Sequence, residues 1–169
     1  MNTSLRVNAV ALMLVCALGT THAAEVRRDQ PAREGVALAG SQFALESGTG
    51  ETSFNFARLR DLWIRVTLRD AKGLVQLNLR LTDPQGTLVY EASVPYATDP
   101  TMTAMELPGA GRPVTVFPAK KLSGGVALDY ALPVSSSAVT RHLSEGTWTF
   151  VAEAGGRSFS TSIDVSAGY

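Results

Sequence analysis

Residues 62–68 read Leu-Trp-Ile-Arg-Val-Thr-Leu and residues 74–81 read Leu-Val-Gln-Leu-Asn-Leu-Arg-Leu. In each, apolar and polar side chains alternate almost one by one. A period of two suits an extended strand with one dry and one wet face, whereas a surface helix repeats its apolar residues about every 3.6 positions. The alternation returns between Trp148 and Ile163, and turn-forming residues interrupt the chain about every ten positions. No segment carries a convincing helical period. The best candidate, Ser135–Ser144, holds consecutive serines with Val139 and Thr140, which are weak helix formers. The chain is therefore expected to be all-β, an antiparallel two-sheet sandwich of about seven to eight strands.

Alternation also specifies register, because a slip of one residue sends every side chain to the wrong face. Pairing Arg69 with Leu74 across Asp70–Gly73 sets Leu68, Val66, Ile64 and Leu62 against Val75, Leu77, Leu79 and Leu81. The next corner, Asp83-Pro84-Gln85-Gly86, has Asp, Pro and Gly where a type I turn favours them. With Thr82 opposite Thr87, Leu81 meets Leu88, Leu79 meets Tyr90, Leu77 meets Ala92 and Val75 meets Val94. These pairings predict a three-stranded meander, with Asp83 engaged by the turn backbone. Near the carboxyl end, Gly155-Gly156 suits the positive φ angles of a two-residue hairpin turn. Pairing Ala154 with Arg157 sets Trp148 against Ile163, Phe150 against Thr161 and Ala152 against Phe159. Val36–Leu45, Val114–Phe117 and Val126–Leu132 are the other expected strands.

The amino-terminal residues give a destination. Arg6 precedes an apolar run, Val7–Leu18, and Thr21-His22-Ala23 fits the small-x-small rule of signal peptidase. That run is far shorter than the roughly 18 to 20 residues needed to cross a bilayer. Residues 1–23 read as a signal peptide cleaved near Ala23, residues 24–34 as a flexible arm broken by Pro31, and residues 35–169 as one β-sandwich domain. The product is expected in the periplasm or secreted, with no membrane insertion after cleavage. Cleavage removes Cys16, the only cysteine, so the core must hold the domain without disulfides. It also removes His22 and Arg6, leaving His142 as the one histidine and the charges nearly balanced. A balanced charge gives no field to draw nucleic acid.

"LTDPQGTLVY" and "GTWTFVAEAGGRSFSTSIDV" resemble secreted bacterial immunoglobulin-like or fibronectin-like domains, and more faintly the jelly-roll accessory domains of secreted proteases. The resemblance implies architecture. It brings no catalytic residues and no cofactor, and the chain lacks the cysteine pair of antibody-type domains.

Little in the sequence is suited to catalysis. His142 has no Gly-x-Ser-x-Gly elbow to serve, so a hydrolase would need an unrecognised serine or carboxylate site, with Glu91 and Glu153 as wet-face acids. Met102, Met105 and His142 form an alternative soft-ligand set for a copper carrier. The leading expectation is a non-enzymatic binding or assembly accessory protein with a protein or glycan partner. The predicted meander would gather Trp63, Arg65, Arg69, Asn78 and Arg80 on one wet face, where an indole and planar donors stack a sugar or seat a peptide. The plainer alternative is that arginine stems or the arm cover Trp63. The proline- and glycine-rich stretch 97–125 is a second candidate surface.

Overall fold

The residues that alternation assigns to dry faces are buried. Leu62, Ile64, Val66 and Leu68 join Val75, Leu77, Leu79 and Leu81 in one apolar core with Trp148, Phe150 and Ile163. The computed structural model describes residues 33–40, 50–106, 111–135 and 137–168. The expected signal peptide and most of the expected arm lie outside the described residues, as does the end of the expected strand Val36–Leu45.

Among the described residues the chain is all-β, with twelve strands and one turn of helix. The strands are β1 Gly35–Ala39, β2 Ser53–Asn55, β3 Asp61–Arg69, β4 Leu74–Thr82, β5 Leu88–Ala97 and β6 Ala104–Glu106. They continue as β7 Pro113–Thr115, β8 Phe117–Pro118, β9 Lys120–Leu122, β10 Gly125–Pro133, β11 Gly146–Ala154 and β12 Arg157–Ser166. The helical turn, α1, is Ala138–Arg141, capped by the Ser137 side chain. It falls inside the weak candidate Ser135–Ser144. A four-stranded sheet has the order β1-β3-β10-β9, and a six-stranded sheet has the order β2-β12-β11-β4-β5-β8. A small ribbon, β6-β7, is the third sheet, so the expected two sheets of seven to eight strands are too few.

The predicted meander is corrected in one respect that matters for function. β3 does not pair with β4. Its two edges are taken by β1, with Val66 opposite Val36, and by β10, with Val66 opposite Leu128. β4 lies in the other sheet, between β11 and β5. The loop between them turns through Asp70 and Gly73, both at positive φ, and changes sheets. Alternation identifies the dry face of each strand but not its neighbour. Two apolar faces satisfy each other equally well side by side or across a core.

The β4–β5 hairpin exists, but its register moves by two residues. Leu81 faces Tyr90, Leu79 faces Ala92, Leu77 faces Val94 and Val75 faces Tyr96. One position comes from the turn, where Asp83 N–H donates to Thr87 O at 2.9 Å and the loop is Pro84–Gly86. The other comes from a bulge beside Leu81 and Thr82, which inserts Val89. Asp83 Oδ1 accepts from the N–H groups of Gln85 at 2.9 Å and Thr87 at 2.7 Å. Gly86 sits at φ 82°, a left-handed position that costs glycine little. Beyond the bulge the two-residue shift keeps Tyr90, Ala92 and Val94 on their predicted face, whereas before it the one-residue shift exchanges Leu88, now half exposed at 50%, for Val89, which is buried in the core.

The carboxyl-terminal hairpin has the predicted register throughout, with Ala154 opposite Arg157 and Trp148 opposite Ile163. A two-residue turn leaves no room for a slip, and Gly155 and Gly156 take φ of 57° and 75°. Trp148 is fully buried, with Phe56 edge-on at 5.4 Å and its indole N–H bonded to Ser144 O at 2.9 Å. Tyrosines tie the two large sheets together. Tyr90 and Tyr130 share a 2.5 Å hydroxyl contact, and the Tyr96 hydroxyl donates to Asp129 O.

Candidate functional site

The sheet change divides the five residues expected to form one platform. Trp63, Arg65 and Arg69 lie on β3, on the outer side of the four-stranded sheet. Asn78 and Arg80 lie on β4, on the outer side of the six-stranded sheet. The two groups face away from each other across the core, so they form no joint surface.

On the four-stranded sheet, β3 runs as a bulky stripe between small residues. Trp63 is flanked by Ala39 and Ala131, Arg65 by Ala37 and Asp129, and Thr67 by Gly35 and Ala127. The middle of this outer face is largely withdrawn from water. Ala127 is fully buried, Ala37 and Ala39 are nearly so, and Arg65 is only 8% exposed. Arg65 makes a two-pronged contact with Asp129, Nε to Oδ1 and Nη2 to Oδ2, both at 2.6 Å. The planar guanidinium fits a carboxylate in this way, which satisfies a charge withdrawn from water. The Trp63 Nε1 is buried and is the one such side-chain atom without an acceptor among the described residues. Arg69 lies at the far end of β3, where its N–H donates to Glu34 Oε1 at 2.7 Å. Glu34 also pairs with Arg157, which joins this end to the β11–β12 hairpin.

The outer face of the six-stranded sheet is wet and hydrogen-bonded sideways. Gln76 Nε2 donates to Ser93 Oγ at 2.7 Å, and Ser93 Oγ donates to Asn78 Oδ1 at 2.5 Å. Arg80 pairs with Glu91 at 3.0 Å, both well exposed. The hydrogen bond to Glu91, then its charge and that of Glu153, raise the Arg80 guanidinium further above its usual range. Glu91 stands opposite Arg80 and Glu153 opposite Asn78, so the two wet-face acids flank β4.

β11 pairs with β4 only as far as Ala154 opposite Leu77. Leu74–Gln76 therefore runs past the Gly155-Gly156 turn and opens a notch of about 460 Å³. Gln76, Asn78, Glu153 and Ser158 line it from the outer side, with Leu74 as an apolar edge, while the Arg157 guanidinium at its rim is held by Glu34 and Arg69 O. The chemistry is that of a polar binding hollow: amides that donate and accept, an accepting carboxylate and a hydroxyl.

The alternative metal set is not assembled. Met102 N–H bonds Asp99 O in the turn just past β5, and Met105 follows on β6. His142 is exposed at the end of α1, two residues from Ser144, whose hydroxyl bonds Gln85 at 3.3 Å in the turn before β5. The length of β5, about 30 Å for a strand of this size, separates Met102 from His142. Among the described residues no group of three or more His, Cys, Asp or Glu side chains gathers. The stretch 97–125 holds the β6–β7 ribbon, and β8 adds to β5 in parallel at Tyr96 and Ala97.

Sequence reasoning missed Asp129, Glu34 and the notch. Asp129 did leave a signal: a carboxylate inside the apolar strand Val126–Leu132 needs a cation, and Arg65 is the nearest wet-face arginine once β3 and β10 pair. The notch had none, because it arises from where β11 ends against β4. No protein-family model matches the chain, and no curated protein matches it.

Proposed function

We propose that this is an exported, non-enzymatic binding or assembly accessory protein whose notch at the β4–β11–β12 corner holds a glycan. One observation carries the reading: polar side chains from three strands converge on one open hollow beside an apolar edge. Sugar hydroxyls suit Asn78, Gln76, Glu153 and Ser158, and Leu74, 37% exposed, offers a surface for a sugar C–H face. The amino-terminal residues support export. An immunoglobulin-like topology is supported by strand order, since β1-β3-β10-β9 matches an A-B-E-D sheet and β12-β11-β4 matches G-F-C. The test is titration with bacterial-envelope oligosaccharides. Asn78→Ala and Glu153→Gln should each weaken binding about tenfold, the loss of roughly one buried hydrogen bond to a ligand. Equal affinity in both variants would reject the notch.

A protein partner on the Trp63 face is the second reading. It is favoured by the buried indole N–H without an acceptor, since buried donors are normally satisfied. Trp and Arg are also the residues that most often dominate protein contacts. Trp63→Ala should then weaken partner binding with the fold intact. Collapse of the fold would make Trp63 a structural plug.

A further inference from the structure

Sheet edges expose backbone groups that invite pairing, and folded proteins blunt them with charge, proline, bulges or covering segments. Four of the edges here are managed. β1 is covered at Leu38, whose carbonyl accepts from Glu51 N–H at 2.7 Å. β9 is three residues long and carries Lys120 and Lys121. β5 has the Val89 bulge, Glu91 and Pro95, and β8 covers its end. β2 is only three residues long.

β12 is different. β2 pairs with it only at Asp164–Ser166, so Arg157–Ile163 has no strand beyond it among the described residues. Between Ser158 and Ile163 there is no charge, no proline and no bulge. In a hairpin closed by a two-residue turn, the residues bracketing the turn form a hydrogen-bonded pair, and such pairs recur at every second position. Arg157, Phe159, Thr161 and Ile163 therefore bond to β11. Ser158, Ser160 and Ser162 aim their N–H and C=O groups outward, as Asp164 does when its N–H donates to Thr52 O at 2.7 Å.

We propose that this edge is the self-association surface of the protein, occupied by β12 of a second copy running antiparallel across a two-fold axis at Ser160. In that register Ser160 meets Ser160 of the second copy and Ser158 meets Ser162 on both sides of the axis. All three outward N–H groups and all three outward C=O groups of each copy are satisfied. A register centred on Thr161 would set Ser158 against Asp164, whose N–H already serves Thr52. The open stretch is thus complementary to itself in length, in hydrogen-bond phase and in charge. Half-buried Phe159 packs against Thr161 of the second copy on the inner side, and the serines meet on the outer side. An isologous two-fold contact of this kind closes and leaves no edge to propagate. The inference is independent of the glycan reading.

Sedimentation velocity of the purified chain across a concentration series tests it. The expected result is a reversible monomer–dimer equilibrium. Ser160→Lys sets like charges face to face and should raise the dissociation constant about tenfold or more at low salt. Ser160→Pro removes the central donors without touching the β11 ladder and should leave monomer. Ser160→Lys changes only an exposed side chain, so its result stands even if the proline variant misfolds. A wild-type chain that stays monomeric at its highest soluble concentration overturns the proposal, and so does a dimer that tolerates Ser160→Lys.

Discussion

The two outer faces of this molecule come from strands with the same alternating pattern, yet they are built oppositely. The four-stranded sheet buries what should be its wet side. Alanines and glycines line β1 and β10, Arg65 is sealed against Asp129, and the Trp63 indole nitrogen is out of reach of water. The six-stranded sheet keeps its polar side chains in solvent, linked in an exposed network from Gln76 through Ser93 to Asn78. Two arginines, Arg65 and Arg80, occupy wet-face positions of strands that sequence alone would pair. One is a buried charge that depends on its partner and the other a surface charge that does not. Residue type and alternation did not distinguish them. Their cross-strand neighbours did, alanine and aspartate in one case and glutamate and valine in the other.

The contrast is sharpest in stability. Asp129→Ala removes the two-pronged partner of a buried guanidinium and should cost about 2–3 kcal/mol in urea unfolding, somewhat less than for a fully buried pair because Asp129 is a third exposed. Arg80→Ala, on the wet face, should leave the urea unfolding curve superimposable on wild type, because a solvent-exposed pair is screened. Similar losses from both substitutions would mean that the two faces hold their arginines in the same way.

A smaller effect joins the two sheets. Burial, then the Tyr130 hydroxyl, raises the Tyr90 phenol above its ordinary range, and burial, then the Asp129 charge, raises Tyr96. The folded state holds these protons after the unfolded chain has released them. Their contribution is complete below a pH of about 10, the ordinary tyrosine value, and is lost as pH climbs beyond it. Tyr96→Phe should therefore make the alkaline fall in stability shallower while leaving the neutral and acid ranges parallel to wild type. An unchanged alkaline limb would show that the inter-sheet hydroxyls do not couple to folding.

Which parts of this fold were legible follows from what alternation encodes. A period of two fixes parity, so Leu62 through Leu68 and Val75 through Leu81 were read as core correctly. Gly155-Gly156 fixes register, because a two-residue loop admits one pairing of Ala154 with Arg157. The Asp83 corner was read as a corner, but the Val89 bulge that shifts the register beyond it has no distinct mark in "TLVYEAS". The neighbour of β3 was not legible. The residues of the rungs matched from Leu62–Leu81 to Leu68–Val75 share one core but lie in different sheets, and an apolar match cannot tell lateral pairing from stacking. The candidate site inherited that ambiguity. Its residue types were sensible, but a platform needs one sheet and the chain supplies two.

The proposed ligand meets the wet face, and a ¹H–¹⁵N titration with an oligosaccharide that binds the purified chain reads both faces at once. The expected result is perturbation of the backbone amides of Gln76, Asn78, Glu153 and Ser158, with the Trp63 indole N–H unmoved. A shift confined to the Trp63 indole and the amides of Ala39 and Ala131 would contradict it and transfer the binding role to the dry face.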